Sequence, residues 1–160
     1  MHVPRKATED DAPAVFRLRT SAILSQCAGH YPAETLERWT EGDAPSPGFT
    51  KFVSDACHVI EKDGVIVASG AVDLSTGQVD AVFVDPRFLH QGIASAMMRF
   101  LEAMAVAAGL EYLRLDSTLN AEGFYLANGF TSECISTYQS PRGFAMDCVV
   151  MTKCVAASLA

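Results

Sequence analysis

The stretch Val82–Phe100, VFVDPRFLHQGIASAMMRF, runs from small and β-branched apolar residues through Asp85-Pro86 and an irregular tract. Gly92-Ile93-Ala94 then opens a helical pattern. A strand, a turn and a helix N-terminus in that order can hold a phosphate on backbone N–H groups. About four such groups are unpaired at a helix start, and the macrodipole adds roughly half a positive charge. Gly92 falls in the first turn, where a Cβ would keep a phosphate oxygen at a distance, and Ala94 is small for the same reason. The tract is neither G-x-G-x-x-G nor a P-loop, since no Gly-Lys-Ser/Thr follows. Nucleotide hydrolysis and dinucleotide redox chemistry are therefore not supported. Taken alone, an ordinary strand-to-helix turn is the competing reading.

A carboxylate precedes this tract. By the two-residue period of a strand, Asp80 faces the same side as Val82 and Val84, where it can take a proton from a bound group. A surface acid at a strand end is the alternative. Five cysteines, Cys27, Cys57, Cys134, Cys148 and Cys154, contain no C-x-x-C pair. That fits reduced thiols in a cytoplasm better than a disulfide framework or a zinc site, so no metal is expected. The opening MHVPRKATEDD has no apolar core and is not a signal peptide, and no apolar run is long enough to span a bilayer. A net charge of −7 argues against general nucleic-acid binding and mildly favours cationic small substrates.

The positioning elements follow from periodicity. At 160 residues, 49% hydrophobic and 19% charged, the chain reads as one globular domain over 1–160. His2 to Ala7 suits a first strand. Thr8, followed by three acids, suits an N-cap, and Ala14, Val15, Leu18, Ala22 and Ile23 give a helix to about Gln26. Pro32 to Trp39 reads as a second helix, and EGDAPSPGF as a loop broken by prolines and glycines. Ala56 to Glu61 and Val65 to Val72 flank the turn KDG, and Val79 to Val84 completes a three-strand meander. Ile93, Met97, Leu101, Met104, Ala105 and Ala108 make a helical stripe, stopped at Gly109. Tyr112 to Leu115 closes a βαβ unit, whose strands should be parallel. Asn120 to Asn128 is a short helix, and Ile135 to Gln139 with Ala145 to Lys153 a closing hairpin. The layout is α+β.

VFVDP, GIA and the downstream LRLDSTLNAEGFYLANGF, with Asn120, Phe124-Tyr125 and Gly129-Phe130 at fixed offsets, together resemble the GNAT N-acetyltransferase superfamily. The resemblance is closest over Val79 to Phe130 and covers the whole chain in element order. It implies a mixed, mostly antiparallel central sheet with helices on both faces and a parallel pair at the cofactor site. It implies acetyl-CoA as co-substrate, with Val82, Phe83 and Val84 along the pantetheine arm. Leu89, His90, Gln91, Gly92, Ile93 and Ala94 would wrap the diphosphate, and Asn120 and Tyr125 would lie beside the thioester. Leu89 stands where the family has a polar residue and His90 where it has a small one, which removes a side-chain contact and leaves the N–H groups.

Acetyl transfer to an amine needs a neutral nucleophile, a polarised carbonyl and a protonated leaving thiolate. With a thiol pKa of about 8.5 and a tyrosine pKa of about 10, Tyr125 can protonate the sulfur. Its alternative is a buried tyrosine packed on the sheet. A backbone N–H of Val82 to Val84 can polarise the carbonyl. Asp80 is the candidate base and Asp73 a second, with Glu34 and His30 weaker ones. Tyr31, Glu34 and Asp73 are candidate substrate contacts, as is Trp39, for which a place in the core is the alternative. The expected partner is a small-molecule or peptide amine, and a homodimer is compatible with the sequence. A non-catalytic acyl-CoA-binding or sensor module of the same fold is the alternative, and an unrelated α+β interaction domain a third.

Overall fold

Thr8-Glu9-Asp10-Asp11 turns the chain near its start. The Thr8 N–H donates to the Asp11 carboxylate at 2.8 Å, and the same carboxylate is paired with Arg5 at 2.8 Å. One 3₁₀ turn (Glu9–Asp11) therefore leads from strand β1 (Arg5–Lys6) into helix α1 (Ala12–Gln26), which buries Val15, Phe16, Leu18, Ala22 and Ile23. The structure, a computed structural model, describes residues 2–156. Residue 1 and residues 157–160, the ends of the expected domain, lie outside them.

Helix α2 spans Ala33–Trp39. The tract expected to be a loop, EGDAPSPGF, is one only in its first half. Ser46 accepts a hydrogen bond from Phe49 N at 3.1 Å, and Pro47 occupies the first turn, where its missing N–H is not needed. Helix α3 (Pro47–Ala56) follows, so the proline that reads as a breaker is a helix starter.

Strands β2 (Cys57–Lys62), β3 (Val65–Val72) and β4 (Val79–Val84) add to β1 in the antiparallel order β1-β2-β3-β4. Helix α4 (Ile93–Ala107) crosses to β5 (Tyr112–Ser117), helix α5 (Glu122–Ala127) follows, and β6 (Thr131–Gln139) and β7 (Ala145–Cys154) close the chain. The last three strands form a second antiparallel sheet in the order β5-β7-β6. β3 is buried on both faces. Ala68 and Val72 pack with Met97 and Leu101 of α4, while Ala71 packs with Val15 of α1 and Val53 of α3. Helices thus cover both faces, as expected of an α+β chain with a mostly antiparallel sheet.

The expected parallel pair is reduced to one bridge, Gln78↔Arg114, with Arg114 N donating to Gly77 O at 3.0 Å. Gly77 has φ 81°, and a Cβ on it would lie 2.4 Å from the Tyr112 carbonyl oxygen, so only glycine lets the two sheets meet this closely. Beyond this seam no ladder joins β4 to β5, and the sheet is open between them. No helix among the described residues is long and apolar enough to cross a membrane.

Candidate active site

The opening between β4 and β5 is the candidate site. On its β3 side, β4 pairs Val72↔Val79, Ala71↔Asp80, Ser69↔Phe83 and Ala68↔Val84. The register slips between Ser69 and Ala71, leaving Ala81 and Val82 opposite the single residue Gly70. Ala81 takes a left-handed backbone (φ 56°), and the buried Ser69 hydroxyl donates to its carbonyl at 2.7 Å, which fixes the bulge. Simple alternation is lost: Asp80, Ala81, Val82, Phe83 and Val84 all line a cleft of about 570 Å³. The free edge of β4 offers its peptide groups to an extended ligand there.

At one end of the cleft lies the loop into α4. Asp85 accepts from Arg87 N at 2.9 Å and pairs with its guanidinium at 2.8 Å, setting the 3₁₀ turn Pro86–Phe88. His90 (φ 61°) and Gly92 (φ 78°) both adopt left-handed backbone and turn the chain into the helix. Helix α4 has no side-chain cap, and its first helical bond is Ala96 N to Gly92 O. The N–H groups of Ile93, Ala94 and Ser95 therefore have no helical partner, and these residues border the cleft. Lys62 sits over the Phe88 ring, 5.5 Å from its centroid, and donates to Gln91 Oε1 at 3.0 Å, which brings a cation to the loop.

The opposite wall carries the polar groups. Asn120 and Tyr125 line the cleft with Asp116 and Ser117 at the end of β5. Asn120 does not cap α5, which starts after Ala121, and its buried Oδ1 has no hydrogen-bond partner. Tyr125 is buried between the rings of Phe124 and Phe130, with centroids at 5.1 and 5.7 Å. Burial raises its pKa, and the charge of Asp80 raises it further, so the phenol keeps its proton at neutral pH. Asp80 is exposed as a residue, but its carboxyl sits among the cleft walls. Desolvation there and the neighbouring Asp116 raise its pKa above the ordinary carboxylate value. Cys27 also borders the cleft, and burial pushes its thiol up to about 11. It is protonated at neutral pH and a poor nucleophile.

Comparison with known proteins agrees with this geometry. Residues 54–132 match the family model of the acetyltransferase (GNAT) domain. The chain carries a GNAT acetyltransferase domain. Its fold is that of the GCN5-related N-acetyltransferase of Rhodopseudomonas palustris, at TM-score 0.90 and 21% identity over 96% of both chains. The PaiA N-acetyltransferase of Thermoplasma acidophilum, solved in complex with coenzyme A, superposes at TM-score 0.74 and 16% identity over 96% of this chain and 99% of that one. YncA of Salmonella typhimurium, solved with acetyl-CoA, gives TM-score 0.68 and 18% identity over 97% and 94%. At these identities the likeness shows the fold alone. No curated protein sequence matches.

In this GNAT chain the cleft gathers Asp80, Val82, Phe83, Val84, Leu89, His90, Gly92, Ile93, Ala94, Asn120 and Tyr125, together with Trp39. Gln91 stands just outside, its carbonyl 3.2 Å from His2 Nε2. Tyr31 lies elsewhere: its hydroxyl donates to Asp147 O at 2.6 Å and accepts from Leu119 N at 2.9 Å, tying β7 to the segment before α5. Glu34 is exposed, 3.8 Å from Arg38. Asp73 is exposed and closes the β3–β4 turn, accepting from Ser75 N at 2.8 Å. Sequence reasoning missed Lys62, the bulge at Ala81 with its Ser69 support, and Asp116. Asp116 alone had a signal, since period-2 alternation in YLRLDS sets it apart from the buried Leu113, Leu115 and Ser117.

Proposed function

We propose that the chain is one acetyl-CoA-dependent N-acetyltransferase domain that acetylates a primary amine of a small molecule or peptide by direct attack in a ternary complex. The observation that carries this reading is one cleft with an uncapped helix N-terminus at one end and the Asp80–Tyr125 pair on its walls. The orphaned Oδ1 of Asn120 fits it as well, since a ligand amide N–H satisfies that acceptor. So does the relatives' binding of coenzyme A and acetyl-CoA on the same fold.

Acetyl-CoA, when bound, supplies a thioester. The N–H groups of Ile93, Ala94 and Ser95 would hold its diphosphate, with Lys62 beside the loop, and Asn120 and the free edge of β4 its amide-bearing arm. A β4 backbone N–H would stabilise the developing oxyanion. Asp80 takes the proton that the attacking amine gives up, directly or through water. Tyr125 delivers its hydroxyl proton to the departing sulfur, and the phenolate regains one from solvent. His90 supplies the left-handed turn from its backbone, so the loop keeps its course although the side chain is not small.

The test is an amine panel read by CoA release, with calorimetry of CoA binding beside it. Amine-dependent release together with CoA binding is expected. Binding without release would support a non-catalytic acyl-CoA module instead.

A further inference from the structure

Three arginines gather where α1, α2 and the β6–β7 hairpin meet, and their hydrogen bonds go mainly to backbone carbonyls. Arg19 donates through Nη2 to Trp39 O at 2.7 Å, Arg142 to Glu41 O at 2.7 Å, and Arg38 to Gly143 O at 3.2 Å. Arg38 has a distant carboxylate, Glu34 at 3.8 Å; no ion pair among the described residues involves Arg19 or Arg142. Arg19 is the most enclosed. Its guanidinium lies against the Phe16 ring, 5.8 Å from the centroid, and its Nη1 is buried with no hydrogen-bond partner. Burial and the repulsion of Arg142 both work against its charge.

An enclosed cation with unused donors and a like-charged neighbour is costly unless an anion arrives. The chain carries 19 acidic residues and a net charge of −7, yet among the described residues none of their carboxylates pairs with Arg19 or Arg142. The position relates to the cleft. Arg19 is one helical turn before Ala22 and Ile23, which line it, and the carbonyl that Arg19 holds belongs to Trp39, which lines it too.

We propose that Arg19, with Arg142 beside it, binds the carboxylate of the acceptor, so that the substrate is an amine bearing a carboxylate, such as an amino acid, rather than a simple polyamine. This rests on the acetyl-transfer reading above. A guanidinium presents donors in a planar fork that matches a carboxylate, and the unpaired Nη1 is the group left to receive it. The acidic surface as a whole favours cations, and the arginine corner reverses that preference locally.

The experiment compares matched acceptors: a panel of amino acids, their amides and their aminophosphonate analogues, read by CoA release, with acetyl-CoA affinity measured by calorimetry. For the preferred side chain, kcat/KM for the acid is expected to exceed that for the amide by about 100-fold, the scale of a charge-assisted pair. In Arg19→Gln the ratio should collapse to a few-fold through a rise in KM for the acid, while acetyl-CoA affinity stays at the wild-type value and shows that the variant is folded. Arg19→Lys should restore part of the ratio. Equal use of acids and amides, preference for the phosphonates, or an Arg19→Gln ratio unchanged from wild type would overturn the carboxylate assignment and leave acetyl transfer standing. Acetyl-CoA binding with no turnover of any acceptor would overturn both.

Discussion

The carboxylate of Asp80 and the phenol of Tyr125 share one cleft, and the charge on the first raises the pKa of the second. Asp80 lies on β4 and Tyr125 on α5, the helix after β5; β4 and β5 belong to different sheets, joined among the described residues by the single bridge Gln78↔Arg114. The groups proposed as proton acceptor and proton donor both line this cleft, each with its pKa displaced upward. For a base that is nearer neutrality; for an acid it keeps the proton on the phenol at neutral pH but makes its transfer to a thiolate less favourable.

Asp80→Asn should remove the acid limb of the rate profile. As a base Asp80 must be ionised, and its pKa lies above the usual carboxylate value of about 3.9, so kcat/KM rises with pH through that higher pKa. The variant should lose this rise, and the Tyr125 pKa should fall toward its ordinary value. Stability runs the other way. A carboxyl whose folded pKa is raised contributes stability that is fully present below its unfolded pKa and is lost as pH rises through the folded one. Asp80→Asn should therefore have the higher Tm at pH 7, an advantage that disappears below about pH 4. Equal melting at pH 7 would contradict the desolvation of Asp80.

Gly92→Val should weaken CoA binding at least tenfold while the protein stays folded. A Cβ on Gly92 meets nothing within 4 Å in the protein, so the cost comes from its φ of 78° and from the space a phosphate would use. A β-branched residue in that conformation costs about 1–2 kcal/mol. His90→Gly relieves the same strain at φ 61° and should keep CoA affinity within a few-fold of wild type. A large loss in His90→Gly, by calorimetry, would make the imidazole a ligand contact.

Gly77→Ala tests the seam between the sheets. The added Cβ would press on the Tyr112 carbonyl at 2.4 Å, with φ at 81°, and neither group is the end of a flexible side chain. A loss of about 3 kcal/mol in urea unfolding is expected, among the larger single-residue effects. A near-neutral result would mean that the two sheets can separate at Gln78 without cost.

The loop and its helix were legible because their signals are local: a proline after a strand, a glycine needing positive φ, and an apolar stripe at helical spacing. The Asn120-to-Tyr125 offset pointed to the opposite wall for the same reason. Helix α3 was hidden because Pro45 and Pro47 read as breakers, although Ser46-Pro47 is also a helix start. The splay of β4 from β5 was not legible. It depends on Ala81 taking a left-handed backbone that an alanine does not announce, and on Ser69, twelve residues away, holding its carbonyl. Arg19 carried no signal either, since an arginine on an amphipathic helix reads as a solvated residue until Phe16 and Trp39 are seen around it.

Amine-dependent release of CoA by wild type and Tyr125→Phe tests acetyl transfer in this cleft most directly. Burial and Asp80 are the causes that act on the Tyr125 phenol, and no hydrogen bond to protein contributes, so losing the hydroxyl should leave Tm unchanged or slightly higher. The expected result is turnover by wild type and a fall of about 100-fold in kcat for the variant, with acetyl-CoA affinity retained. Equal kcat in the two proteins, or no amine-dependent release by a wild type that binds acetyl-CoA, would contradict it.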